Sequence, residues 1–146
     1  FESIKYHALK DPHFTPESLL TELNEKEQTA LKYLVKDQNG LWLKLIQDGF
    51  VEWGFAVLAE QNGSPRLIQG QIDLWGMDAK DQAWVVDYKT GSPESLDKAM
   101  DHLKIYAWAL TKMKKIPTDQ MVKLAVIYPL AGLTEIETCR VSDIQI

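Results

Sequence analysis

Cysteine is nearly absent: Cys139 is the single one in 146 residues. One thiol cannot close an internal disulfide or build a four-thiolate cluster, so a reducing, cytoplasmic location is the expectation. Long hydrophobic runs are missing too. No apolar stretch approaches the ~20 residues that a membrane span requires, and no signal-peptide pattern stands at the start. Positive charge is in deficit, with 16 Lys and Arg against 21 Asp and Glu and a net charge of −5. A protein that grips nucleic acid by itself usually carries the opposite balance, because neutralising phosphates supplies much of the affinity. The nearest thing to a basic patch is Lys112, Lys114 and Lys115 at the end of a helical stretch, with Lys98 and Lys104 upstream. Lysines in a last helical turn answer the helix dipole equally well. A G-x-x-x-x-G-K-[ST] loop is lacking, which excludes a nucleotide-driven motor within these residues. Repeats, linkers and low-complexity runs are also absent.

What is present suits one ordinary globular domain over residues 1–146, with 45% hydrophobic and 25% charged residues. Thr15-Pro16-Glu17 reads as a helix start, and Leu19, Leu20, Leu23, Ala30, Leu31, Leu34 and Val35 continue at helical spacing to about Lys36. Asn39-Gly40 breaks the pattern, and residues 41–47 suggest a second short helix ending near Gly49. From 50 to 60, Val51, Trp53, Phe55 and Val57 alternate with Glu52, Gly54 and Ala56 as in a strand, and Asn62-Gly63-Ser64-Pro65 reads as its turn. Two further strands cover 67–75 and 83–89. After Gly91-Ser92-Pro93-Glu94, the residues Leu96, Met100, Leu103, Ala107 and Leu110 mark an amphipathic helix that Pro117 ends. Residues 121–128 and 133–141 are two last strands. The order helix, three antiparallel strands, helix, one or two strands predicts an α+β or α/β fold: one mixed central sheet flanked by helices.

The chemistry concentrates in the second and third strands. Asp73 precedes Asp87-Tyr88-Lys89 by fourteen residues, and each half lies in an apolar run. Side chains alternate faces along a strand, so Asp87 and Lys89 point one way and Val86 and Tyr88 the other. The polar segment 76–81 is short enough for a hairpin turn, and an antiparallel pair would set Asp73 beside Asp87. Mid-strand aspartates are disfavoured by propensity and costly to bury alone. Two carboxylates and an ammonium on one face offer a place for a divalent cation and a water, and a carboxylate-held metal is a common way to hydrolyse a phosphodiester. From the residues alone a second reading stands beside it: Asp87 and Lys89 as a cross-strand ion pair on a solvated face. Glu52 is equally a third acid of the site or an occupant of its strand's wet side. The five tryptophans (Trp42, Trp53, Trp75, Trp84, Trp108) read most simply as core or interface, with base stacking the lesser alternative.

Gly70-Gln71-Ile72-Asp73-Leu74 followed by Val86-Asp87-Tyr88-Lys89-Thr90-Gly91 resembles the PD-(D/E)XK nuclease superfamily, in particular its RecB-like branch. Glu52-Trp53-Gly54-Phe55 is similar to the E-x-P-F element that precedes the first aspartate, and Tyr6-His7-Ala8-Leu9 to an upstream H-x-x-L helix. His102-Leu103-Lys104-Ile105-Tyr106 sits where the branch carries Q-x-x-x-Y, with His replacing the usual Gln. The resemblance implies a restriction-endonuclease-like αβββαβ core. It implies Mg²⁺ or Mn²⁺ on Asp73, Asp87 and the main-chain carbonyl of Tyr88, with His7 as a further ligand. Lys89 would position or help deprotonate the attacking water, Glu52 would join the catalytic set, and His102 and Tyr106 would contact the DNA backbone or groups behind the ligands. Some relatives hold an iron–sulphur cluster on four cysteines, which one cysteine excludes.

The function so implied is a metal-dependent DNA nuclease, an exonuclease acting on ends and single strands in double-strand break processing. Its expected partners are DNA, a helicase motor in the same polypeptide and an AddB/RecC-type subunit. A start at Phe1 instead of Met fits a domain excised from such a chain. Rival readings are a catalytically silent module that guides DNA or docks a subunit, and a stand-alone phage or mobile-element nuclease.

Overall fold

The computed structural model describes residue 10, residues 23–91 and residues 93–144 of the chain. Helix α1 (Glu25–Lys36) starts at Asn24, whose side-chain oxygen accepts from the Glu27 N–H at 2.8 Å while the Glu27 carboxylate accepts from the Asn24 N–H. Two first-turn donors are thereby satisfied reciprocally. The helix that reaches Lys36 therefore begins at Asn24. The residues around Thr15 lie outside the described part, and a helix continuous from there to Lys36 is excluded by the extended backbone of Asn24.

Gln38, Asn39 and Gly40 all adopt left-handed backbone, turning the chain sharply into α2 (Leu41–Asp48). Strand β1 (Phe50–Gln61) and β2 (Ser64–Met77) form a long antiparallel hairpin. Its turn is the two-residue Asn62-Gly63, both with positive φ as a tight hairpin requires. Ser64 and Pro65, expected in the turn, instead pair with Gln61 and Glu60. Asp78 organises the next turn: its carboxylate accepts from the backbone of Lys80 and Gln82 and from the Trp84 indole at 2.8–3.0 Å.

Strand β3 (Ala83–Tyr88) is antiparallel to β2, and α3 (Leu96–Lys112) crosses back so that β4 (Met121–Tyr128) lies parallel to β3. Strand β5 (Leu133–Arg140) closes the sheet in the order β1-β2-β3-β4-β5. The mixed sheet between helices is thus as expected.

Two cores lie on its two faces. Leu103, Ala107 and Leu110 of α3 pack on Val85, Leu124, Val126 and Tyr128. Leu31 and Leu34 of α1 and Trp42, Leu45 and Ile46 of α2 pack on Leu74, Trp84, Val86 and Ile127. Three of the five tryptophans, Trp42, Trp75 and Trp84, are buried core, which removes base stacking for them. No helix among the described residues is long and apolar enough to cross a membrane.

Strict alternation fails at one level of the hairpin. Trp53, Phe55 and Ile72 pack towards α3, whereas Val51 and Leu74, two residues away in each strand, pack towards α1 and α2. The change of face happens at Glu52 and Asp73, which stand opposite each other in the register but form no bridge. Glu52 has φ +49, a left-handed residue inside a strand, and that rotation turns the chain over. The sequence pattern had placed Val51 and Trp53 on one face. The kink separates them.

Candidate active site

The face change delivers Asp73 to the end of β3. The β2–β3 ladder runs from Met77–Ala83 to Leu74–Val86, which sets Asp73 opposite Asp87. Where a further rung would follow, the Tyr88 N–H donates to Asp73 Oδ2 at 3.0 Å. The carboxylate side chain takes over a ladder bond as the strands diverge. Asp87 is largely buried, with 14% of its side chain exposed, and its Oδ2 holds the Lys89 ammonium at 3.1 Å. Asp87 and Lys89 share a face, with Val86 and Tyr88 in or against the opposite core, as strand alternation demands.

Burial raises the Asp73 carboxyl from 3.8 to about 7, the hydrogen bond and charge of Asp87 push the same way, and the Tyr88 N–H and Lys89 partly oppose them. At neutral pH the two carboxylates therefore compete for too little positive charge. The Lys89 ammonium is held in its charged form, burial being outweighed by Asp87 and, more weakly, Asp73 and Tyr128.

Tyr106 reaches the same place from α3. Its phenol is pushed up by burial and then by the charges of Asp87 and Asp73, so it stays protonated as a donor. Its ring meets Phe55 edge-on at 5.6 Å. Gly70 explains itself here, because a Cβ would sit 3.3 Å from the rings of both Phe55 and Tyr106. His102, one turn before Tyr106, is exposed. Glu52 is half-buried at the Asp73 level, and its main-chain carbonyl accepts from Gln71 Nε2 at 3.1 Å. The Tyr88 carbonyl belongs to the last residue of β3, between Asp87 and Lys89. His7 lies outside the described residues.

Of the expected basic patch, Lys104 is tied to Glu137 of β5 at 3.1 Å and Lys112 lies over the Trp108 ring. Among the described residues no three His, Cys, Asp or Glu side chains gather as a ready metal cage. The two carboxylates that do lie side by side offer only hard oxygens. They suit a small cation that keeps most of its own waters. Such a cation would offset the Asp87 charge that, after burial, helps to raise Asp73.

A family profile for the PD-(D/E)XK nuclease superfamily matches residues 3–139. The chain belongs to that superfamily. Comparison with curated proteins yields no match. Among solved structures, the crystal structure of SSO0001 overlays 94% of this chain and 77% of its own, at 14% identity and a TM-score of 0.43. So loose an overlay carries no argument about function.

Sequence reasoning did not single out Tyr128. It ends β4 beside Lys89, and only the parallel β3–β4 register makes the two neighbours.

Proposed function

We propose that this chain is a divalent-cation-dependent DNA nuclease that hydrolyses phosphodiester bonds at the Asp73–Asp87–Lys89 site. One observation carries the reading: Asp73 and Asp87 stand side by side at the end of β3, with the Lys89 ammonium 3.1 Å from Asp87. Asp73 and Asp87 would hold Mg²⁺ or Mn²⁺, with the Tyr88 carbonyl completing the set. When bound, such a cation supplies Lewis-acid polarisation of a phosphoryl oxygen and makes a nearby water a stronger acid. Lys89 offsets the charge that builds on the phosphoryl oxygens and orients the attacking water by hydrogen bonding. Tyr106 donates to a phosphate oxygen from the helix side. Glu52, at the Asp73 level, holds solvent on the outer flank.

The net charge of −5 favours delivery of DNA by something else. A helicase motor that threads the strand, with an AddB/RecC-type partner, is the context proposed, and processing of broken ends the role. Exonucleolytic cutting of single strands follows from that context.

Labelled single-stranded and duplex DNA incubated with Mn²⁺ or Mg²⁺ tests the reading. Wild type is expected to cut only with the cation, and Lys89→Ala and Asp87→Ala, still folded, to lose at least about a hundredfold in rate. Cutting that survives both substitutions would discard the site.

A further inference from the structure

Tyr128 ends β4 one strand along from Lys89. Strands β3 and β4 are parallel with Tyr88 beside Ile127, and the Lys89 N–H donates to the Ile127 carbonyl at 2.9 Å, so Lys89 and Tyr128 lie at one level. Both belong to the α3 face: Tyr128 packs in the core beneath α3, and Lys89 reaches Asp87 on that side. The Tyr128 residue is 1% exposed, and its hydroxyl is buried with no hydrogen-bond partner among the described residues. Folded proteins rarely leave a buried hydroxyl unpaired, because water would have satisfied it in the unfolded chain. Phenylalanine would fill the same space without that cost.

Lys89 has the complementary problem. Its ammonium is now the counter-charge of Asp87 at 3.1 Å. A divalent cation on the Asp87 carboxylate replaces that counter-charge and repels the ammonium, whose three donors then need another acceptor. We propose that Tyr128 is a positioning residue for Lys89, its hydroxyl oxygen accepting from the ammonium once a cation occupies the carboxylates. The inference rests on the cation-site reading above. The exchange of partners keeps the ammonium at the strand end beside the reacting phosphate instead of releasing it to solvent.

Calorimetric Mn²⁺ binding to wild type, Tyr128→Phe, Lys89→Met and the double variant tests it. Tyr128→Phe is expected to weaken Mn²⁺ binding about tenfold, the ammonium then staying on Asp87 as a competitor. In the Lys89→Met background the same change leaves Mn²⁺ affinity as it was. The metal-free Tyr128→Phe protein melts no lower than wild type, since no hydrogen bond is lost. Unchanged affinity in Tyr128→Phe overturns the inference, and so does equal weakening with and without Lys89. Absence of Mn²⁺ binding in all four proteins overturns the cation site itself and the inference with it.

Discussion

A carboxyl group shielded from water and set beside a second carboxylate keeps its proton, and Asp73 keeps its own up to about pH 7. The folded chain therefore binds that proton more tightly than the unfolded chain does. Ionisation of Asp73 works against folding: the cost is nil below the ordinary carboxylate value of 3.8, grows as pH rises, and levels off above about 7. In EDTA, the melting temperature of wild type is expected to fall relative to Asp73→Asn between about pH 4 and about pH 7, and not beyond. Thermal unfolding across that range checks it, and parallel curves for the two proteins would show that Asp73 is not shifted. Asparagine preserves an acceptor for the Tyr88 N–H, so the comparison isolates charge. Cation binding is coupled to the same proton and strengthens over the same pH window.

Two elements meet closely where α2 enters the sheet. A Cβ on Gly49 would lie 2.6 Å from the carbonyl oxygens of Leu45 and Trp75, both backbone atoms that cannot swing aside. Gly49→Ala is expected to cost about 1–3 kcal/mol, measured by urea unfolding. Gly54, two residues beyond the β1 kink, has open space around it. Gly54→Ala is expected to be neutral or to stabilise by up to about 1 kcal/mol in the same assay. An equal loss in both would mean that these two glycines matter for flexibility and not for contact. The hairpin itself shows how a local irregularity serves a site. The left-handed Glu52 turns the strand pair over and leaves Asp73 where the β2–β3 ladder ends, free to accept the Tyr88 N–H.

At the scale of the molecule, acidity opposes the substrate. With a net charge of −5 and carboxylates at the site, the metal-free chain is expected to bind DNA weakly. Using Lys89→Ala to prevent cutting, fluorescence anisotropy of a labelled single strand should show affinity at least about tenfold higher in Mn²⁺ than in EDTA. The salt dependence should be shallow, with a log–log slope of about −2 or less in magnitude, as only a few phosphates are neutralised. Tight, steeply salt-dependent binding in EDTA would instead demand a basic surface elsewhere in the chain.

Much of the fold was legible because its signals are local. The apolar spacing of Leu96, Met100, Leu103, Ala107 and Leu110, the Asn39-Gly40 break and the alternation through Val85, Val86 and Asp87 each depend on neighbours within a few residues. The pairing of Asp73 with Asp87 was legible for the same reason, since a short turn leaves two strands little choice of register. What stayed hidden depends on contacts between elements. The helix start at Asn24 needed the reciprocal bonds with Glu27, and the Val51–Trp53 face change needed the backbone rotation at Glu52. Tyr128 beside Lys89 needed the parallel register across the α3 crossover, which no spacing along the chain encodes. Residue types and short spacings decided which groups the chain owns and the secondary elements that carry them. The proton affinity of Asp73, the acceptor next to Lys89 and the room Gly70 leaves for Tyr106 come from packing, because burial and proximity exist only after distant segments meet.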